Sequence, residues 1–482
     1  MPPERFDAVI IGASLEGLAC ALKLQQSGRK VCVLDRKAAL EQLGKPLPAE
    51  VSLSALASAG RVLSVATRPP APELAFLNGQ ARIIWPDPDR TVRAFQATAP
   101  SDASRFYRYI SQLVRVAALA GEPGNINRAI LAQASGVSDA DVALKELGSF
   151  WARSGHSILD EAFDDPLISG ALAMMAAEAA PISLTMSGTA PALIPAALRF
   201  CGPSSPVVSI FGGRKALISG LAFALREAGG ELRLGSEVSE IEVERDVTSG
   251  VALSGGAAIK SAMVIAAVAP KRLAQGLIST RRFGFAVSAL SAAPRDAEAV
   301  ADLHLSKVPE WPGLEARLIT QSGTIRLGAS PETVHHQSEA YTSRKPPEAV
   351  SVAMRFSALE PCQALLSCPM VPAEWTQGGW TPERREHLLR LMMATLEREW
   401  PDAAAQVQRV ALLEPPEPGE RTSAGAIFGS VNRLAEPGRL FADRGEPASQ
   451  PVKGTYLCQP SALSSDMENG FSLAAALAAS GR

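Results

Sequence analysis

Hydrophobic residues near the start of the chain form two short uninterrupted runs with a longer mixed stretch between them. Ala8 to Ile11 and Val31 to Leu34 are apolar throughout, which predicts two strands buried on both faces of a parallel sheet. Leu18 to Gln26 predicts a helix, which Gly28 ends. The second strand stops at Asp35, so the pattern predicts a βαβ unit with an acidic residue roughly 20 positions past the first turn.

The turn between the first strand and the helix has the composition of a diphosphate-binding loop. Gly12 allows a tight turn, Ser14 is small enough for backbone amides to approach a phosphate, and Gly17 lets the helix pack closely on the strand. The helix N-terminus offers N–H groups to an anion, and Asp35 can accept a hydrogen bond from a ribose hydroxyl. We expect dinucleotide binding here, although Ser14 stands where a second glycine is usual. The alternative is a βαβ unit of this type that binds nothing.

The rest of the chain alternates between helical and strand-like periodicity. The predicted helices are Ser101 to Ala120, Ser157 to Phe163, Leu167 to Ala180 with a continuation over Pro181 to Phe200, Lys215 to Ala228, a long helix from Thr381-Pro382 to Trp400-Pro401, and Phe471 to Ala479. The predicted strands are Leu74–Leu77 and Ala81–Trp85 in a hairpin around Asn78-Gly79, Thr91–Ala97, Glu231–Leu234, Ile241–Val243, Gly250–Leu253, Ala257–Lys260, Met263–Val268, Phe285–Ser291, Ala316–Ile319, Ser351–Phe356, Ala405–Leu413 and Gly454–Cys458.

The segment from Leu167 to Phe200 is the most apolar long stretch in the middle of the chain. A segment of this kind is either buried core or the wall of an apolar substrate cavity, and core is the commoner outcome.

The length, the net charge and the hydrophobic pattern of the chain limit the kinds of protein it can be. A length of 482 residues predicts two or three domains. The net charge of −2 argues against a nucleic-acid binder. The N-terminus lacks the pattern of a signal peptide, and no apolar run is long enough to span a bilayer. We therefore expect a cytoplasmic protein, with peripheral contact to a membrane surface left open.

The cysteines and histidines show no metal-binding pattern. Six cysteines lack metal or disulfide spacing, and we expect Cys20 and Cys32 to be small hydrophobic residues of the buried βαβ unit. His335-His336 is the only close pair of histidines, and adjacent side chains diverge on a helix or strand. No metal site is expected.

Several blocks along the chain resemble the FAD-dependent oxidoreductase family that contains the phytoene desaturases. They are DAVIIGASLEGLACALKLQQSGRKVCVLDRK, SILDEAFDDPLISGALAMMAAEAAPISLTMSGTAPALI, IFGGRKALISGLAFALREAGGELRLGSEVSEIEV, AMVIAAVAP and PVKGTYLC, and they occur in family order. The resemblance implies an α/β fold with a Rossmann-type FAD-binding domain built from residues 1–75, 201–280 and 425–482. Residues 76–200 and 281–424 would form an inserted α+β substrate domain.

The same resemblance implies the cofactor site. Gly12, Ser14 and Gly17 would lie against the diphosphate, Asp35 would hold the ribose, and the Val238 backbone would contact the adenine. The loop 459–470 would approach the flavin. The implied cofactor-binding residues are completed by Ala13, Leu15, Arg36, Asp466 and Gly470. The implied activity is hydride transfer to FAD from an apolar or mixed small molecule.

Two departures from the family pattern keep other interpretations open. The glycine pair usual after the ribose acid is reduced to Gly44, and the loop QPSALSSDMENG has no glycine before Gly470. The chain could therefore be a pseudoenzyme that keeps the fold as a scaffold or accessory subunit with weak or no FAD binding. Binding of NAD(P) alone is a third interpretation, and a protein partner or a homo-oligomer is left open.

Overall fold

The structure is a computed structural model that describes residues 4–40, 49–60, 63–121, 142–179, 182–202, 205–245, 247–268, 272, 276–278, 296–321, 323–357, 360–372, 380–413, 454–458, 473–475 and 477–478. The strands are β1 (Glu4–Arg5), β2 (Ala8–Ile11), β3 (Val31–Leu34), β4 (Glu50–Ser52), β5 (Thr67–Arg68), β6 (Glu73–Leu77), β7 (Gln80–Ile84), β8 (Val207–Ile210), β9 (Glu231–Arg233), β10 (Val238–Glu244), β11 (Val247–Leu253), β12 (Ala258–Lys260), β13 (Val264–Ala266), β14 (Asp296–Leu305), β15 (Thr324–Leu327), β16 (Val352–Phe356), β17 (Gln363–Pro372), β18 (Val407–Leu412) and β19 (Thr455–Leu457).

The α-helices are α1 (Leu15–Gln26), α2 (Leu53–Ala59), α3 (Pro88–Thr98), α4 (Pro100–Gly121), α5 (Val142–Ala152), α6 (Gly155–Ala162), α7 (Pro166–Ala179), α8 (Ile194–Leu198), α9 (Gly213–Glu227), α10 (Ala316–Gln321), α11 (Pro331–Thr342), α12 (Pro382–Glu399) and α13 (Pro401–Gln406).

A parallel sheet in the order β19-β13-β2-β3-β9 forms the centre of the first layer. The central strands β2, β3 and β13 are apolar at every position because both of their faces are buried. Ile10 packs with α1 and α9 on one face, while Ile11 packs on the other face against the sheet β1-β12-β11-β10. This is the Rossmann-type α/β arrangement that the sequence predicts.

A second, mixed sheet runs in the order β18-β14-β17-β16-β15-β6-β7. The pair β15–β6 is parallel and the other neighbours are antiparallel. Helix α12 covers one face through Leu388, Met392 and Leu396. Helix α7 contacts β6, β7 and β17 on the other face, which belongs to the helical core of α4 to α8.

Helix α7 is fixed closely against this sheet. The Asp165 side chain accepts the Leu167 amide at 2.8 Å, as expected for an N-cap before Pro166. The fully buried Asp102 carboxylate accepts both backbone amides of the residues before Pro166, at 2.9 and 2.8 Å. A Cβ on Gly170 would lie 1.8 Å from the Ala329 carbonyl oxygen, so the helix touches the backbone after β15.

Most of the local predictions are confirmed. The hairpin of β6 and β7 turns at Asn78 and Gly79, which have φ values of 51° and 74°. The long helix predicted from Thr381-Pro382 is α12, and the predicted C-terminal strand is β19. Helix α1 begins three residues earlier than predicted, since Ser14 serves as its N-cap.

Three predictions are wrong. Thr91 to Ala97 lies in helix α3 instead of a strand, because Asp87 caps the helix and its periodic residues Thr91 and Phe95 are both buried. Ala316 to Ile319 lies in helix α10. Pro181 to Phe200 does not continue α7, since its described residues form turns, a 3₁₀ segment over Ala190–Leu193 and the short α8.

Some predictions fall outside the described residues. They are the strand Phe285–Ser291 and most of the loop regions around Gly44 and 459–470. The domain boundaries given above stay a prediction.

Candidate functional site

The turn after β2 brings the start of α1 against the end of β13. Gly12 has a φ of 104°, and a Cβ there would lie 2.5 Å from the Ala267 carbonyl oxygen. Glycine alone tolerates both the conformation and the contact. A Cβ on Gly17 would lie 2.4 Å from the Gly12 carbonyl oxygen. The two glycines therefore allow the close strand–helix packing that the sequence predicts.

Ser14 caps helix α1 at this turn. Its Oγ accepts a hydrogen bond from the Gly17 amide at 3.3 Å and lies 3.4 Å from the Ala267 carbonyl oxygen, to which it donates. Ala13 and Leu15 are buried, so their side chains face the core. The backbone of the turn and the positive end of the helix dipole therefore both lie at the carboxyl ends of the parallel strands.

Asp35 follows β3 and lies on the other side of the turn. Its Oδ2 accepts the Ala13 amide at 2.8 Å and its Oδ1 accepts the Lys37 amide at 2.8 Å. An ionised carboxylate has about four lone-pair sites, so each oxygen can accept one more hydrogen bond. Asp35 and Arg36 are both partly exposed. The carboxylate is thus held by two backbone donors and can still receive a hydroxyl.

The carboxyl ends of three neighbouring parallel strands meet at this turn. The Ala267 amide donates to the Ile11 carbonyl oxygen at 2.8 Å, and the Cys458 amide donates to the Ala266 carbonyl oxygen at 2.9 Å. The Cys458 thiol lies 3.7 Å from the carbonyl oxygen of Glu16, in the first turn of α1. Ligands of open α/β sheets bind at such strand ends.

A second turn supports Asp35 from the side of β10. The Gly235 amide donates to the Lys37 carbonyl oxygen at 2.8 Å, and the Ser236 amide donates to the Asp35 carbonyl oxygen at 2.7 Å. Val238 begins β10 two residues later, and its side chain is buried. The backbone before Val238 therefore lies beside the acidic residue.

The structure brings most of the predicted site residues together. Gly12 to Leu15, Gly17, Asp35 and Arg36 lie around one turn, and Val238 follows the adjacent turn. Asp466 and Gly470 lie outside the described residues. The binding role of each residue stays a prediction.

The buried cysteines near the turn behave as small hydrophobic residues. Cys20 and Cys32 have no exposed surface. Burial raises the pKa of Cys32 to about 12, which keeps the thiol protonated at neutral pH.

Seven charged side chains form a continuous series of ion pairs beside the second sheet, which we call the ion ladder. In order, its members are Glu50, Arg199, Glu73, Arg326, Glu178, Arg355 and Glu298. Successive nitrogen–oxygen distances are 2.6, 2.7, 3.0, 2.8, 3.0 and 3.9 Å. The ladder carries four acids and three arginines.

The ladder joins the two layers of the molecule. Glu50 lies on β4, whose neighbour Val51 packs in the core around α1, whereas Glu73 lies on β6 of the second sheet. The sequence pattern gives no sign of the ladder, because its members come from separate elements far apart along the chain. The signal that could have pointed to it is a charge inside a short strand, such as Arg326 in β15.

Ion pairing in the ladder shifts the pKa values of Glu178 and Arg199 in the direction that favours their charged forms. Burial alone would raise the pKa of Glu178, but Arg326 and Arg355 outweigh it and hold that pKa below its ordinary value. For Arg199, burial opposes the charge, but Glu50 and Glu73 outweigh it and raise the pKa.

The apolar segment that includes α7 is core where the structure describes it. Leu167, Leu172 and Met174 are buried and pack with helices α4 to α8. Within the described ranges, no group of three or more histidine, cysteine or acidic side chains is placed to hold a metal. The helices in those same ranges include none with the length and apolarity to cross a bilayer.

Comparison with known proteins assigns more than half of the chain to a protein family. The model of a family described as the FAD binding domain matches residues 7–284. No curated protein matches the sequence.

Solved structures share the fold over nearly the whole length. An oxidoreductase from Methanosarcina mazei has a TM-score of 0.59 at 15% identity, with 98% of this chain and 100% of that chain covered. Wild-type putrescine oxidase bound to putrescine has a TM-score of 0.59 at 15% identity, covering 99% and 100%. Cyclohexylamine oxidase from Brevibacterium oxydans has a TM-score of 0.56 at 14% identity, covering 99% of each chain. At these identities the likeness establishes the fold.

Proposed function

Because the chain belongs to the FAD binding domain family and FAD is its cofactor, we propose that it is an FAD-dependent oxidoreductase similar to the phytoene desaturases. It removes a hydride from a C–H bond of an apolar or mixed small molecule, and this bond can lie next to an amine nitrogen. The observation that carries the proposal is the turn at Gly12 to Gly17, which lies at the carboxyl ends of three parallel strands with Asp35 beside it.

The residues at this turn fit a dinucleotide. The positive end of α1 suits a diphosphate, and the close packing at Gly12 and Gly17 keeps the backbone compact there. The Asp35 carboxylate is oriented by the Ala13 and Lys37 amides and retains acceptor capacity for ribose hydroxyls. These residues would hold the adenosine diphosphate half of FAD.

The flavin, when bound, supplies the hydride acceptor. The chain's own residues would bind and orient the cofactor. The finer assignment to the phytoene desaturase type is supported by the five sequence blocks in family order. C–H bonds next to an amine nitrogen are included because two structural neighbours are named as oxidases of amines. The scaffold alternative is not supported by these findings.

The experiment that tests the proposal compares two isosteric substitutions in the same sheet. In Asp35→Asn, one of the two amide donors loses its oxygen acceptor and the ribose loses a charged acceptor. Hydrogen bonds to charged groups contribute about 1.5–3 kcal/mol, so we expect roughly 10- to 100-fold weaker FAD binding. Asp7→Asn is the control, because Asp7 lies at the opposite end of the sheet. Among the contacts described, its carboxylate accepts a hydrogen bond only from the Lys30 amide.

Binding is measured by titrating the purified apoprotein with FAD and following flavin fluorescence and visible absorbance. Thermal unfolding of both variants separates lost affinity from lost structure. Anaerobic addition of substrate should bleach the flavin absorbance of the wild-type protein. Wild-type protein that stays colourless after FAD is added would contradict the proposal, as would Asp35→Asn protein that binds FAD as tightly as Asp7→Asn protein.

A further inference from the structure

One face of the second sheet is apolar, and the other carries a group of charged side chains among its apolar contacts with the helical core, which we call the charged face. In β15, Ile325 and Leu327 pack toward α12. Side chains alternate across a strand, so Thr324 and Arg326 point to the opposite face. Arg355 on the neighbouring β16 lies on that same face, and its Nε donates to the Thr324 hydroxyl at 3.1 Å. Burying these polar groups against an entirely apolar surface would cost free energy, because they would lose hydrogen bonds.

Glu178 projects from the last turns of α7 into this charged face. Its Oε1 lies 2.8 Å from Arg326 Nη1 and 3.0 Å from Arg355 Nη2. Both ion pairs use the same oxygen, and among the described residues Oε2 of Glu178 has no partner. Ion pairing keeps the group charged, so Oε2 is a strong hydrogen-bond acceptor that the protein leaves unused.

Both members of this pair are partly accessible, although the protein surrounds them closely. Burial is the largest influence on the pKa of Glu178 and of Arg355, yet 19% and 13% of their side chains are accessible. The pair is therefore desolvated and still open to contact with a small molecule. Arg326 beside them is 1% exposed, and its Nε has no hydrogen-bond partner within the described part of the chain.

The pair is held rigidly in one orientation. Besides Thr324, the Arg355 guanidinium donates from Nη1 to the Ser367 hydroxyl at 3.0 Å. The same ladder continues through Arg326 and Glu73 toward Glu50 in the layer of the nucleotide turn. A preorganised acceptor gives more selectivity than a mobile one, because less side-chain entropy is lost on binding.

We propose that Oε2 of Glu178 binds a hydroxyl or amino group of the substrate, which makes the substrate a mixed molecule with a hydrogen-bond-donating head group. This assignment rests on the proposed function. A bound molecule without a donor would displace water from the carboxylate and leave the charge unsolvated, which strongly disfavours it. Sites built to pair with a polar group reject analogues that lack it far better than apolar pockets reject size differences.

The test uses FAD-loaded protein and three probes of equal heavy-atom number, namely hexanol, hexylamine and methyl pentyl ether. Dissociation constants are measured by calorimetry and by perturbation of the flavin absorbance. We expect the alcohol and the amine to bind at least about tenfold more tightly than the ether. Comparison of the two donors shows whether a neutral or a cationic head group is preferred.

Two variants test whether Glu178 causes the preference for the donor probes over the ether. Glu178→Gln should abolish the preference for donor probes, and Glu50→Gln, the same change at the far end of the ladder, should retain it. Equal binding of the ether and both donors, absence of donor binding, or an unchanged preference in Glu178→Gln would each overturn the assignment. Equal binding of the three probes by the wild-type protein would overturn the assignment even if Glu178→Gln fails to fold. Failure of the proposed function would show earlier, as protein that binds no FAD.

Discussion

Arg326 is the central cation of the ion ladder, and its removal should destabilise the protein markedly. Its side chain is 1% exposed, with Nη2 at 3.0 Å from Glu73 and Nη1 at 2.8 Å from Glu178. Arg326→Met keeps an unbranched apolar stem but removes the guanidinium and leaves two carboxylates without this partner. Glu73 would retain Arg199 at 2.7 Å, and Glu178 would retain Arg355 at 3.0 Å.

The magnitude follows from the burial of these groups. Breaking a buried ion pair by removing one partner costs about 3–5 kcal/mol, because an uncompensated charge remains inside. Since each carboxylate keeps one arginine, we expect about 3 kcal/mol, at the lower end of that range. This is a large share of the roughly 5–15 kcal/mol that stabilises a typical domain. Adding Glu73→Gln should recover part of the loss, because it removes the charge that Arg326 neutralised.

Guanidinium unfolding followed by tryptophan fluorescence provides the measurement, since the chain has six tryptophans. A cycle of the two single variants and the double variant isolates the coupling between Arg326 and Glu73. Lys307→Met serves as the surface control, because Lys307 is 56% exposed and pairs with Glu310, which is 78% exposed. A loss below about 1 kcal/mol for Arg326→Met, comparable to the control, would refute the reasoning.

Three further predictions follow from the packing and charge described above. Gly170→Ala should destabilise the protein by about 1–3 kcal/mol or more in thermal unfolding, since its Cβ would meet the Ala329 carbonyl, whereas Gly255→Ala has open space and should be neutral. Asp102→Ala should cost about 2–4 kcal/mol in denaturant unfolding, because two backbone amides before α7 lose their acceptor, and a smaller loss would show that water replaces it. The lowered pKa of Glu178 stabilises the fold above its ordinary value of 4.5, and this contribution is lost as pH falls through the lower folded pKa. The unfolding midpoint should therefore decline more steeply below that pH in wild-type protein than in Glu178→Gln, and parallel curves would contradict the pairing.

Local sequence patterns correctly predicted the elements whose structure depends mainly on neighbouring residues. Continuous apolar runs identified β2 and β3, and the spacing from Gly12 to Asp35 located the nucleotide turn before any tertiary contact was known. The same approach failed for α3, where apolar positions were read as a strand although Asp87 and Pro88 supply a helix start. Propensity is a weak signal in such short segments.

The charged face of the second sheet could not be predicted for a different reason. Strands β14, β15 and β17 were not predicted, and β14 carries many alanines, whose strand propensity is low. The members of the ladder are far apart along the chain, so their pairing depends on a topology that periodicity does not reveal. The local pattern around Arg326 and Glu178 gives no sign that they interact, and only the fold shows that they form an ion pair.

The strand order of the parallel sheet also bears on how the protein is made. Strand β13 has β2 on one side and β19 on the other, and β19 is about 190 residues later in translation order. While the ribosome is still synthesising the intervening stretch, the backbone donors and acceptors along the open side of β13 have no strand to pair with. Such an edge can pair with other nascent chains. We expect chaperones to be associated with the growing polypeptide until Thr455–Leu457 emerges and pairs with β13.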